Sequence, residues 1–170
     1  MKNNGYIIWI MGLAGSGKTT IGKNLYNEIK KNIPNVVYLD GDELRDIIGF
    51  HEYDKQSRID VAIKRSKIAN FLSNQGIIVI VTTISMFKEV YEFNRSNIDN
   101  YIEVYIECSM DELIKRNQKG LYSSGSSNVV GIDIDIDIPN CDIKLINTKP
   151  EQLKTNSDML AKLIHKLVIK

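Results

Sequence analysis

Gly12-Leu13-Ala14-Gly15-Ser16-Gly17-Lys18-Thr19 has the spacing G-x-x-x-x-G-K-[ST]. Residues of these types at this spacing cradle phosphate. Glycines let the backbone turn tightly, so successive N–H groups point at one phosphate, and a helix N-terminus behind them adds partial positive charge. The lysine reaches the β- and γ-phosphates of a nucleoside triphosphate, and the following hydroxyl holds Mg²⁺. The pattern therefore assigns ATP contacts to Gly12, Ala14, Gly15, Ser16, Gly17, Lys18, Thr19 and Thr20. Thr19 is the metal ligand, and Lys18 is catalytic as the cation on the transferring phosphoryl. A glycine-rich turn that binds nothing is the bland alternative. A second group, Asp40-Gly41-Asp42-Glu43-Leu44-Arg45, offers two carboxylates and a guanidinium. One carboxylate could bind Mg²⁺ through water or take a proton from an attacking hydroxyl. Arg45 could clamp an anionic acceptor. Here the alternative is a strand-end turn with an N-cap aspartate, a role open to Asp42 as well.

Both groups need elements that bring them to one place. Tyr6–Met11, Val36–Leu39, Ile77–Val81, Tyr101–Ile106 and a weaker Ile143–Ile146 are near-continuous apolar runs. Runs of that length predict strands buried on both faces. Helical patterns lie between them, including Thr20–Asn32. In Leu153–Val168 the residues Leu160, Leu163, Ile164, Leu167 and Val168 are expected to share one face. Strand–helix alternation predicts α/β architecture, a five-stranded parallel sheet with helices on both faces. Ligands then bind beyond the carboxyl ends of the strands, where the phosphate loop and Asp40–Arg45 both fall. Ser123–Ser127 reads as a flexible loop, and the strict Ile/Asp alternation of 132–138 as a short extended segment with one wet face.

A chain of 170 residues is expected to be a single domain covering 1–170. Its net charge of +1 supplies no field of one sign to recruit nucleic acid or a membrane. The apolar runs are too short to span a bilayer, and Met1–Gly5 leads into the first strand with no signal-peptide pattern. Cys108 and Cys141 have no metal or redox spacing, and His51 and His165 lie far from both and are expected at the surface. The expected location is the cytoplasm, and a homodimer is compatible with all of this.

The chain resembles the adenylylsulfate (APS) kinase family. The resemblance runs from the phosphate loop to about Asp137. It is carried by Gly12–Thr20, Asp40–Arg45, Ile84-Ser85, Ile102–Tyr105, Lys119-Gly120-Leu121-Tyr122 and Gly131-Ile132-Asp133. It implies a P-loop kinase fold with a lid, here about 117–130, and transfer of the ATP γ-phosphoryl to the ribose 3′-hydroxyl of a second nucleotide. It implies Asp42 as the base near that hydroxyl, and Arg45 and Arg58 as contacts to the acceptor. Asp40, Ile84, Ser85 and Leu121 are placed around the acceptor in the same way. Lys119 becomes the lid residue that meets phosphates on closure, and Arg116 lies by the adenine or phosphates of ATP.

The departures from the family pattern converge on the acceptor. After the position of Arg58 the family has an Asn-Ile-Arg-Arg run, where this chain has Val61-Ala62-Ile63-Lys64. The acceptor site is therefore expected to lose an amide and a guanidinium, which Lys64 does not replace bidentately. Before Gly131 the family has a Phe-Thr pair whose ring helps sandwich the acceptor adenine; here it is Val129-Val130. Tyr53 is the expected other wall, with Phe50 in reserve. The segment Ile84–Glu89 resembles family members of surface-polysaccharide pathways, which use the same chemistry on a pyrimidine nucleotide. A cytidine nucleotide is thus the expected acceptor, with APS as the alternative. A nucleotide-binding regulator without turnover is the reading from another class. A GTPase switch is not supported, because no Asn-Lys-x-Asp segment is present.

Overall fold

The computed structural model describes residues 5–123, 125 and 127–168; expectations for 1–4, Ser124 and Ser126 lie outside the described residues. Five strands, β1 (Ile7–Met11), β2 (Val36–Asp40), β3 (Ile78–Thr83), β4 (Tyr101–Glu107) and β5 (Ile143–Ile146), form one sheet in the order β2-β3-β1-β4-β5. Every pairing is parallel. The helices are α1 (Lys18–Lys30), α2 (Gly41–Ile48), α3 (Lys55–Ser73), α4 (Lys88–Asn97), α5 (Met110–Arg116) and α6 (Gln152–Val168).

The continuous apolar strands are buried on both sides because alternate residues feed two cores. Ile7, Trp9, Met11, Val79 and Val81 pack with Ile59, Ala62 and Ala69 of α3 and Val90 of α4. Ile8, Ile10, Ile78 and Ile80 pack with Ile21, Leu25 and Ile29 of α1 and Leu160 and Ile164 of α6. β1 is central, flanked by β3 and β4, so the crevice past its carboxyl end opens where strand order reverses.

Two local expectations are corrected. Leu163 and Leu167 of α6 are not on the buried face; they are 40% and 47% exposed, while Leu153 and Ala161 pack inward instead. Residues 132–138 are not a clean alternating segment. Residues 131–133 form a turn, with the Val129 carbonyl accepting from the N–H groups of Ile132, Asp133 and Ile134. Ile134 is buried and Ile136 packs on the core, but Ile132 and Ile138 face outward. His51 and His165 are exposed, as expected.

Candidate active site

The loop between β1 and α1 has the form the motif requires. Gly17 caps α1 at φ +95°, a left-handed conformation costly for a side chain, and a Cβ there would lie 2.5 Å from Asn147 Nδ2. That amide donates to the Ser16 carbonyl at 2.7 Å. Gly12 and Ser16 are buried behind the loop and do not face the cleft. The Ser16 N–H closes a turn on the Leu13 carbonyl at 3.1 Å, and a Cβ on Gly12 would lie 2.7 Å from the Ile106 carbonyl. The side-chain positions of these two residues thus shape the cradle from behind. Ala14, Gly15, Gly17, Lys18, Thr19 and Thr20 line an open cleft of about 720 Å³.

Lys18 donates to the Leu13 carbonyl at 3.4 Å. Burial lowers its ammonium pKa to about 8, opposed by the nearby Asp42 and Asp40 carboxylates. Asp40 is the N-cap of α2, its Oδ1 accepting from the N–H groups of Asp42 (3.0 Å) and Glu43 (3.4 Å). Its Oδ2 accepts from Tyr38 and Thr82. Burial pushes the Tyr38 phenol up to about 12, so it stays a donor. Since Asp40 caps the helix, the Asp42 side chain is left free. It points into the same cleft as Lys18 and pairs there with Lys119 at 3.1 Å. Both partners are about two-thirds exposed (69% and 66%), so the pair is weak and opens readily.

Lys119 sits in a 3₁₀ turn, Gln118–Gly120. Asn117, Lys119 and Asn128 all have positive φ, so left-handed backbone clusters in this segment. Composition predicted few contacts here, but its described residues are tethered. The Tyr122 hydroxyl donates to the Ala14 carbonyl at 2.8 Å, and Asn117 Nδ2 donates to Ser123 Oγ at 2.7 Å. Arg116 also proves to be a brace. Nε bonds Glu112, Nη1 the Gly15 carbonyl, and Nη2 the Asn147 and Thr148 carbonyls. It lines the cleft, but its N–H groups tie the phosphate loop to the end of β5. Leu121 lines this larger cleft and not the acceptor side.

A second, tight pocket of about 40 Å³ opens next to Asp42, lined by Arg45, Tyr53, Arg58, Arg65, Thr83, Ile84, Ser85, Phe87 and Val130 among others. Arg45 and Arg58 stack over the Tyr53 ring at 4.8 and 5.3 Å. Tyr53 thus holds two cations as well as forming a wall. Arg45 also donates to the Glu52 carbonyl (2.7 Å), and Arg58 to those of Tyr53 (2.7 Å) and Asn128 (3.0 Å). Phe50 is not brought to the pocket; its ring lies under the Lys64 ammonium at 4.0 Å. Val129 is likewise displaced by one residue: its N–H binds Asp133, and Val130 forms the wall.

A third arginine, Arg65, lines this pocket with Arg45 and Arg58, and sequence reasoning missed it. Its signal was available: Arg58 and Arg65 are seven residues apart on α3, two turns along one face. Phe87 and Asn147 also line the two pockets, and no local sequence pattern distinguishes either.

A sequence profile of the adenylylsulphate kinase family matches residues 4–145. The chain is 54% identical over 166 residues to the cytidine diphosphoramidate kinase of Campylobacter jejuni, covering 95% of this chain and 98% of that protein. It is 33% identical to the adenylyl-sulfate kinase of Rippkaea orientalis, over 82% of this chain and 77% of the relative. Among solved structures it matches the APS kinase CysC of Mycobacterium tuberculosis in complex with AMPPNP and APS. That match has a TM-score of 0.84 and 25% identity, and covers 95% of this chain and 98% of that one.

Proposed function

The chain belongs to the adenylylsulphate kinase family, and from that premise we propose that its acceptor is cytidine diphosphoramidate. The ATP γ-phosphoryl would pass to the ribose 3′-hydroxyl of this nucleotide, as a step of capsular polysaccharide phosphoramidate synthesis in the cytoplasm. The observation that supports this reading most is the 54% identity, end to end, with a kinase of that name. The pocket beside Asp42 agrees with it. Val130 and Tyr53 line it, and the 129–130 pair supplies no second ring of the kind that sandwiches a purine.

In this reading Lys18 neutralises charge on the transferring phosphoryl, and Asp42 orients and deprotonates the 3′-hydroxyl once Lys119 leaves it. Lys119 then turns to the phosphates. Arg45 and Arg58 bind the acceptor's diphosphate. The donor set suits Mg²⁺: the Thr19 hydroxyl and the Asp40 carboxylate, hard oxygen ligands, line one small cavity with Lys18. An ion held by these two residues would supply positive charge to offset that of the triphosphate. Among the described residues no helix is long and apolar enough to cross a membrane.

Transfer to APS is the second reading, favoured by the similarity to adenylyl-sulfate kinases. A regulator without turnover has no feature of the site in its favour, since Lys18, Thr19, Asp42 and Arg45 all face the two pockets. The test is incubation with ATP, Mg²⁺ and a panel of nucleoside diphosphate derivatives, with ³¹P detection. A new 3′-phosphomonoester is expected with cytidine diphosphoramidate. Its appearance with APS alone would replace this reading with the second.

A further inference from the structure

Arg65 and Thr83 have no part in the chemistry described so far, yet both are almost fully buried at the acceptor pocket. Arg65 is 2% exposed. Its Nη1 donates to Thr83 Oγ1 at 2.7 Å and its Nη2 to the Gly41 carbonyl at 2.9 Å. Its Nε has no partner among the described residues. Burial and the neighbouring Arg45 lower its pKa to about 10, which leaves it charged at neutral pH. The Ser85 N–H also donates to Thr83 Oγ1, at 3.2 Å. Both donors are obligatory, because a guanidinium and a backbone amide have no lone pair to offer. The Thr83 oxygen therefore accepts twice, and its one proton goes to Ser85 Oγ, 3.0 Å away. Ser85 Oγ becomes an acceptor towards Thr83. Its own proton is left for the pocket that Ser85 lines.

We propose that Arg65 and Thr83 are positioning residues that fix the Ser85 hydroxyl as a hydrogen-bond donor to a phosphoryl oxygen of the acceptor nucleotide. The ligand atom is set by the surroundings. Arg45, Arg58 and Arg65 line this pocket, and none of them forms an ion pair with a carboxylate among the described residues. An oxyanion meets such a wall favourably; an N–H or a cation does not. The arrangement also places both ends of the relay on the catalytic frame, since Gly41 begins the helix that carries Asp42. The proposal rests on the nucleotide-kinase reading of the site but not on the identity of the base.

The test is calorimetric binding of cytidine 5′-diphosphate and of APS to the parent, followed by the tighter of the two with Thr83→Val, Thr83→Ser and Ser85→Ala. ATP affinity is measured in parallel. Thr83→Val keeps the shape and removes the hydroxyl. It and Ser85→Ala should each weaken acceptor binding about tenfold, the scale of one hydrogen bond to a charged group. The double variant should be no weaker than either single one, because both break the same link. Thr83→Ser should restore parental affinity, and ATP affinity should stay within twofold throughout. Should Thr83→Val not fold, Ser85→Ala and Thr83→Ser carry the same decision. Parental acceptor affinity in Ser85→Ala, or effects of the single variants that multiply in the double, would overturn the relay. Preference for APS in the parent would sink the cytidine reading and leave the relay testable on APS.

Discussion

Lys18 faces two opposed demands. In its proposed role it must be charged to hold the γ-phosphoryl, yet burial lowers its pKa to about 8. The charged form dominates below that value and is lost as pH rises through it. ATP affinity of the free protein should therefore fall above about pH 8, while Lys18→Arg, protonated throughout, should show no such fall; titration calorimetry across pH 7–9.5 checks this. Lys18→Ala should cost on the order of 10³-fold or more in turnover. Asp42→Asn keeps the shape and removes the base, so kcat should fall roughly 10²–10⁴-fold with acceptor KM little changed. Normal kcat with a collapsed acceptor affinity would make Asp42 a binding group and not the base.

At the scale of elements, α2 depends on its cap. Asp40 satisfies two N–H groups at the start of this eight-residue helix. Asp40→Ala should lower stability by about 1 kcal/mol, a fall of a few degrees in Tm by calorimetry, and loosen the helix that carries Asp42. The segment 117–130, the proposed lid, is held in part by the Tyr122 hydroxyl on the Ala14 carbonyl. Tyr122→Phe should speed protease cleavage near Gly125 in the ligand-free protein, with ATP and acceptor together slowing it again. Equal cleavage in all states would count against a lid that closes. The strands were legible because burial on both faces leaves long apolar runs, as in Ile7–Met11 and Ile78–Val81. The phosphate loop was legible because its chemistry depends on local spacing. What stayed hidden depends on contacts distant in sequence. Asn147 braces Ser16 across 131 residues, and Arg116 ties Gly15 to Asn147 and Thr148. Neither leaves a local pattern. The shift of the pocket wall from Val129 to Val130 follows from a turn closed on the Val129 carbonyl, which residue types alone do not announce.

In the whole molecule, strand order places two pockets side by side at the carboxyl ends of β1, β2 and β3. The larger holds the phosphate loop, the smaller the arginines, and Asp42 and Ile84 belong to both. That arrangement suits transfer of a phosphoryl from one nucleotide to another, as proposed. The identity of the second nucleotide is the central claim. It is tested most directly by competition: cytidine diphosphoramidate and APS at equal concentration in one reaction, with ATP and Mg²⁺, and both 3′-phosphorylated products measured at early times. The product ratio gives the ratio of kcat/KM values without separate assays. The account predicts that the cytidine product dominates. Predominant formation of 3′-phosphoadenylylsulfate, with the cytidine nucleotide left unchanged, would contradict it.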